Sequence, residues 1–235
     1  MTASVLIIGG SSGIGKALAQ HYSAEGACVT VISRQAKPAQ LSYYWYQDSL
    51  TCEADSEQVV KQALAQQPGT IFICNGVLHD DKAMPEKTIR QLESTVLMQR
   101  LQQNVAVPAL YLKLLFAYLC KCPNVKLLVL SAKVGSITDN ALGGWYSYRV
   151  SKAALNMLVK NCSIEVGRLN KTATLVSLHP GTTDTPLSAP FQTNLPAGQL
   201  QSAAQTAERL AAVADALQPA QTGALLNWDG AVLPF

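Results

Sequence analysis

The 235-residue chain is short of charge and of aromatic side chains: charged residues make up 14% and aromatic ones 6%. It has no basic run, and its net charge is +3. Nucleic acid is therefore a disfavoured partner, because phosphate binding leaves a clustered basic footprint. No stretch approaches the roughly 18 consecutive apolar residues of a membrane span. The longest, Val105 to Cys120, is broken by Pro108 and Lys113. The opening MTASVLIIGG has no basic n-region and no cleavage site after its apolar run, so it does not read as a signal peptide. The six cysteines (28, 52, 74, 120, 122 and 162) lack the paired Cys/His spacing of structural zinc. They read as small buried side chains in a reducing cytoplasm. The three histidines, His21, His79 and His179, are too scattered for a metal site. His179, just before Pro180, reads as a packed strand-end residue.

What the chain does have is apolar residues, 49% of it, enough for a sizeable core. Short β-branched runs alternate with helical stretches. Strands are expected at Ser4–Gly9, Ala27–Ser33, Thr70–Cys74, Val125–Leu130, Thr172–Leu178 and Gly223–Trp228, with a weak one near Ser49–Glu53. The aromatic cluster Tyr43, Tyr44, Trp45 and Tyr46 falls in a polar stretch outside them. Helices are expected over Gly13–Ala24, Ser56–Gln66, Thr88–Leu119, Trp145–Leu169 and Gln201–Leu217. This alternation predicts a doubly wound, Rossmann-type α/β fold: a parallel sheet of about seven strands with helices on both faces. No linker or repeat interrupts it, so residues 1–235 read as one domain.

Two motifs carry chemistry. The first strand ends in Gly9-Gly10-Ser11-Ser12-Gly13-Ile14-Gly15 and runs into a helix. Glycines there let the backbone approach a ligand, and the helix start offers unpaired N–H groups to a pyrophosphate. That strand–turn–helix context points to dinucleotide binding. The second motif is Tyr148-Arg149-Val150-Ser151-Lys152 at the start of a helix. Residues four apart share one helix face, so an ammonium beside a phenol is expected to lower its pKa from about 10. A tyrosine so placed can exchange protons near neutral pH.

With these motifs in order, the chain resembles the classical short-chain dehydrogenases/reductases along essentially its whole length. The resemblance rests on Gly9-x-x-x-Gly13-Ile14-Gly15, Cys74-Asn75-Gly76-Val77 in place of N-A-G-V, Asn104, Tyr148-x-x-x-Lys152 and Pro180-Gly181-x-x-x-Thr185. The stretch Val134–Arg149 looks closest to the C-factor and Sniffer-like carbonyl reductases. The resemblance implies that Tyr148 donates a proton to a carbonyl. Lys152 would depress the Tyr148 pKa and bond the nicotinamide ribose, while Asn104 would hold a water linking Lys152 to solvent. Gly9, Ser11, Ser12, Gly13, Ile14 and Gly15 would line the pyrophosphate and ribose, and Asn75 and Gly76 would pass under the adenosine. Thr183 and Thr185, after Pro180 and Gly181, would meet the carboxamide. Glu53 falls about where the family puts an acid on the adenine amino group, with Asp55 as its rival.

One departure bears on activity. Counting back three from Gly135 puts Ala132 where the family's substrate-orienting serine stands. Ser131, Ser136 or neither can supply a hydroxyl; Ser131 is the favoured replacement. Cofactor preference follows from the end of the second strand. Enzymes that prefer NAD place an acid there for the ribose 2′-OH; here Ser33 is followed by Arg34, whose guanidinium suits a 2′-phosphate. Lys16 and Lys37 can add charge, and NADP(H) is the expected cofactor. Leu187–Gln199 is expected to form a lid, with Phe191, Leu195, Trp145 and Leu142 around an apolar pocket. The resulting expectation is a carbonyl reductase of a small-molecule aldehyde or ketone, with no membrane partner, assembled as a homodimer or homotetramer. The alternative is a non-catalytic NADP(H)-binding sensor or signalling protein.

Overall fold

The computed structural model describes residues 3–39, 41–50, 52–81, 83–193 and 195–235. Strands β1 (Ser4–Ile8), β2 (Cys28–Ser33), β3 (Tyr44–Gln47), β4 (Thr70–Ile73), β5 (Lys126–Leu130) and β6 (Thr174–Leu178) pair in parallel. Two short strands, β9 (Leu225–Leu226) and β10 (Val232–Leu233), complete an eight-stranded sheet of order β10-β9-β6-β5-β4-β1-β2-β3. Only β10 runs antiparallel to its neighbour. A separate two-residue ladder joins β7 (Thr182–Thr183) to β8 (Leu200–Gln201).

The near-continuous apolar strands are explained by two cores, one on each face. Successive side chains alternate across a sheet. Val5, Ile7, Phe72, Leu128 and Val176 accordingly enter one core, under α1 (Gly13–Ala24) and α6 (Ala203–Ala216). Leu6, Ile8, Ile71, Leu127 and Leu175 enter the other, under α2 (Glu53–Leu64), α4 (Val107–Lys121) and α5 (Tyr146–Leu169).

The third strand departs from expectation. It is the aromatic run Tyr44–Gln47, ahead of the expected position near Ser49–Glu53. Aromatic residues suit strands, but this one is at the sheet edge and half-exposed, so its alternation is weak in sequence. The expected position cannot extend: Leu50 has φ 58°, and its N–H donates to the Asp48 carboxylate at 2.9 Å in a turn. Glu53 therefore opens α2 instead of ending a strand. The cysteines also differ from expectation, since five are half-buried and Cys52 is exposed; all six are free thiols.

The long helical region divides into α3 (Ser94–Leu101), a π-helical turn over Gln102–Ala106, and α4. Residues 94–121 are long and apolar enough to cross a membrane by composition alone. Here they pack on the sheet through Tyr111, Leu112, Leu115 and Leu119, with Arg100 and Asn104 buried as well. Strand order reverses between β1 and β4, and doubly wound sheets bind ligands at the strand carboxyl ends beside such a switch.

Candidate functional site

A cleft of ≈ 1170 Å³ opens at the carboxyl ends of β1, β4, β5 and β6. It is lined by Gly9, Ser12, Gly13, Ile14 and Gly15 from the first turn, and by Asn75 and Gly76 after β4. Tyr148 and Lys152 from α5, Ser131 and Ala132 after β5, and Pro180, Gly181, Thr183 and Thr185 after β6 line it as well. The two motifs, far apart in sequence, thus meet in one space.

The turn fits a dinucleotide on three observations. Gly9 and Gly13 adopt φ of 87° and 50°, which disfavours any side chain there. A Cβ on Gly15 would lie 2.4 Å from the Gly9 carbonyl oxygen, so the helix can start this close to β1 only as glycine. No acidic residue occupies the first turn of α1, and Ser12 does not cap it with its side chain, so its N–H groups remain for an anion. Asn75 Oδ1 is buried in the same cleft with no hydrogen-bond partner among the described residues. Ser11 is half-buried on the turn without lining the cleft. Arg34 is exposed immediately after β2. The turn lies against that strand end, since the Gly9 N–H donates to the Ile32 carbonyl at 2.8 Å.

On α5, the first buried face carries Tyr148, Ser151 and Lys152. The Lys152 ammonium donates to the Leu130 carbonyl at 3.0 Å and lies 5.8 Å from the Tyr148 ring centroid. A Cβ on Gly76 would come within 3.3 Å of that ammonium, so the glycine makes room for it. Burial pushes Lys152 down to about 8. Burial also pushes the Tyr148 phenol well above its usual value, which corrects the expectation of a depressed one. Desolvation dominates because the ammonium is bound to a carbonyl and the phenol is enclosed. The resulting neutral phenol is a proton donor.

Asn104 does not line the cleft. Its side chain accepts from the Val77 N–H at 2.7 Å, and donates to the Val77 carbonyl at 2.8 Å and to Ser151 Oγ at 2.9 Å. These side-chain bonds all go to protein and tie the loop after β4 to α5. The surrounding π turn is a feature that recurs at functional sites.

The structure separates the serine candidates. Ala132 packs with Leu78 and Tyr148 in the cleft, in the place where a serine is expected. Ser131 lines the cleft, and its Oγ donates to Asn156 Oδ1 of α5 at 2.6 Å. The two differ by alternation: neighbours along an extended chain point to opposite sides. Ser136 Oγ accepts the Asp139 N–H and does not line the cleft. Glu53 is likewise displaced, forming an exposed ion pair with Lys113 on α4. Asp55 lies beside it in the exposed first turn of α2. The acid at the end of β3 is Asp48, 1% exposed, which accepts from Ser56 Oγ, the Leu50 N–H and the Tyr111 hydroxyl. The position of β3 decides which acid ends it, and the aromatic run is its signal in the sequence.

His179 lines the cleft as a neutral ring, pushed down to about 4 by burial first and then by the Lys133 and Lys152 charges. Its backbone N–H donates to the Leu226 carbonyl at 2.7 Å, as suits a strand-end residue. His79, given no role from sequence, has Nε2 at 3.2 and 3.1 Å from the Pro186 and Leu187 carbonyls. Both partners are acceptors, so that nitrogen carries a proton. The segment after β7 is thereby latched over the cleft, and β7–β8 pairing closes its base. Asn194, inside the expected lid, lies outside the described residues.

The fold and this arrangement of turn, tyrosine and lysine define a class. A family model described as short chain dehydrogenase matches residues 3–196, and the chain belongs to that family. Among its relatives, an oxidoreductase of Schizosaccharomyces pombe is 27% identical, covering 97% of this chain and 96% of that protein. The C-signal of Myxococcus xanthus is 34% identical over 105 residues, 45% of this chain and 58% of that protein. Of solved structures, the carbonyl reductase Sniffer of D. melanogaster superposes with a TM-score of 0.84 at 22% identity, covering 100% of both chains. An NADPH-bound carbonyl reductase from chicken fatty liver gives 0.80 at 22% identity, covering 100% of this chain and 99% of that one. These two establish likeness of fold.

Lys152 yields a prediction about stability. Its pKa falls from 10.5 to about 8 on folding, so the unfolded chain holds the proton more tightly. Stability linked to this group is present in full above pH 10.5 and is lost as pH falls through 8. Lys152→Met removes the buried charge and is expected to raise the melting temperature near neutral pH, with the gain fading above pH 10.5. Thermal melts across that range check it; an unchanged or lower melting temperature near neutrality would contradict the desolvation account.

Proposed function

We propose that this oxidoreductase reduces an aldehyde or ketone with NADPH, Tyr148 donating the proton. The observation that carries the reading is the meeting of the glycine turn and the Tyr148–Lys152 pair in one cleft. NADPH, when bound, supplies the hydride. Gly9 to Gly15 would hold its pyrophosphate and Arg34 its 2′-phosphate. Asn75, Gly76, Thr183 and Thr185 would flank the rest, though the Thr183 hydroxyl is already bonded to Thr206 at 2.9 Å. Tyr148 holds its proton because it is buried, and an alkoxide forming beside it takes that proton. Lys152, whose ammonium burial makes a stronger acid at about 8, can return one to the phenolate. Leu78, Ala132, Val134, Trp145, Leu187 and Phe191 surround Tyr148 and exclude water from an apolar substrate group.

One observation favours the sensor alternative: Ala132 offers a methyl group where a second donor would help hold the substrate oxygen. Loss of such a donor typically costs about 10²–10³-fold in rate, which slows a reductase without abolishing it.

Partners and location extend this reading. Val150, Met157 and Ile164 are 48%, 61% and 46% exposed at seven-residue spacing on α5. An outward apolar stripe of this kind suits self-association, and we assign it to a homodimer or homotetramer. The six free thiols suit a reducing cytoplasm.

Tyr148→Phe is expected to keep NADPH binding and lower turnover by about 10²–10⁴-fold, the usual loss for a general acid. Near-normal turnover by this variant on an active carbonyl substrate would refute the mechanism, and no turnover by the parent on any aldehyde, ketone or quinone would favour the sensor. Fluorescence titration should show tighter binding of NADPH than NADH. Arg34→Ala should shrink that preference by roughly tenfold, as expected for a charge-assisted contact of about 1.5–3 kcal/mol. Equal affinities in the parent would sink the NADPH assignment. Met157→Glu should shift the assembly toward monomer in sedimentation; a parent already monomeric would dismiss the stripe as an interface.

A further inference from the structure

Three consecutive residues ahead of α5 are left-handed: Gly143, Gly144 and Trp145, with φ of 65°, 66° and 51°. Glycine adopts this conformation freely, but a bulky residue there is an outlier that the surroundings must hold in place. The holding group is Glu86, from the loop after β4. Its carbonyl accepts the Trp145 backbone N–H at 2.5 Å. One carboxylate oxygen accepts the Ser147 N–H at 3.2 Å, and the other takes a short hydrogen bond from the Ser147 hydroxyl. Glu86 is 5% exposed.

This carboxylate does what a local cap cannot. The first N–H groups of a helix have no partner within it, and its positive end favours an anion. Trp145, at the cap position of α5, brings no side chain that accepts a hydrogen bond. Glu86 supplies the acceptor from 61 residues away. Its loop is anchored in turn by Arg100, 1% exposed, which donates to Asp80 at 2.9 Å and to the Ala83 carbonyl at 3.4 Å.

The backbone so held aims the Trp145 indole into the cleft. Its ring centroid lies 4.9 Å from Phe191 and 6.3 Å from Tyr148, and Phe191 lies 5.7 Å from His79. The indole therefore joins the tyrosine to the latched segment after β7 and forms one wall of the apolar end. Glu86 does not line the cleft.

We propose that Glu86 is a specificity-determining positioning residue, which sets the Trp145 wall and thereby how strongly the site prefers bulky over small carbonyl compounds. The inference rests on the carbonyl-reductase reading, and two readouts separate their failures. The first is acrylamide quenching of Trp145, taken as the difference between each protein and its Trp145→Phe counterpart; it needs no turnover. The second is the ratio of kcat/KM for acetophenone to that for butanone.

Glu86→Ala should make Trp145 more quenchable. It should also lower the ratio by about tenfold or more, the scale of a lost apolar contact, mainly through KM for acetophenone. Glu86→Gln keeps an oxygen for the Ser147 N–H and an amide for its hydroxyl, so it should restore both readouts. Trp145→Ala should lower the ratio alike, and adding Glu86→Ala to it should lower it no further. Ser147→Ala, which removes a single contact, should move quenching in the same direction by less and stands in if Glu86→Ala does not fold. Unchanged Trp145 quenching in the folded variants would overturn the proposal, as would an equal loss on both ketones. If the parent reduces neither ketone, the carbonyl-reductase reading fails on that substrate pair, and the specificity role falls with it even where quenching reports a held indole.

Discussion

Taking an ammonium group out of water is unfavourable, and Lys152 is 3% exposed. The structure around it is arranged to make that burial tolerable. The Leu130 carbonyl, at the end of β5, accepts its hydrogen bond, and Gly76 leaves space where a Cβ would crowd it. Gly135 acts the same way on the backbone, since a Cβ there would lie 2.8 Å from the Lys152 carbonyl carbon. Asn104 draws the Val77 loop against Ser151, one residue from the lysine. Each contact pulls α5 close to the carboxyl ends of β4 and β5, and Tyr148 is enclosed as a consequence. Burial then separates the pair, with the phenol driven up and the ammonium down, so that the neutral tyrosine keeps its proton.

The doubly wound sheet decides where this happens. Chain reversal between β1 and β4 leaves the first turn beside the loop after β4, and β5 and β6 bring α5 and the Pro180–Gly181 turn alongside. The close start of α1 against β1 depends on Gly15, which any Cβ would drive into the Gly9 carbonyl. The glycine turn and the Tyr148–Lys152 pair thus occupy one cleft because the topology converges on one edge of the sheet, with the hydrophobic layers on both faces supplying the rigidity.

The substrate end is assembled differently, from loops fixed by polar contacts. Arg100 and Asp80 hold the loop after β4, Glu86 holds the residues before α5, and His79 latches the segment after β7. Ala132 leaves this end more apolar than a serine would.

The sequence by itself determined the class of fold, the glycine turn and the Tyr148–Lys152 pair. Those signals are local: strand periodicity, glycine spacing and a four-residue helix step are all encoded within a few residues. The position of Ala132 was also legible, by counting from Gly135. Tertiary structure decided the rest. An edge strand with only one partner shows weak alternation, so Tyr44–Gln47 does not read as a strand in the sequence, and the expected acid falls at Glu53 instead of Asp48. Ser131 sits beside the right position, but only the strand's alternation reveals that it faces Asn156. Lowering of the Tyr148 pKa follows from a neighbouring charge in water, whereas enclosure reverses its direction. Glu86 and Ser147 lie 61 residues apart, and no local pattern announces a helix capped from another loop. Long-range contacts and burial depend on how the elements pack, and packing is a property of the folded chain.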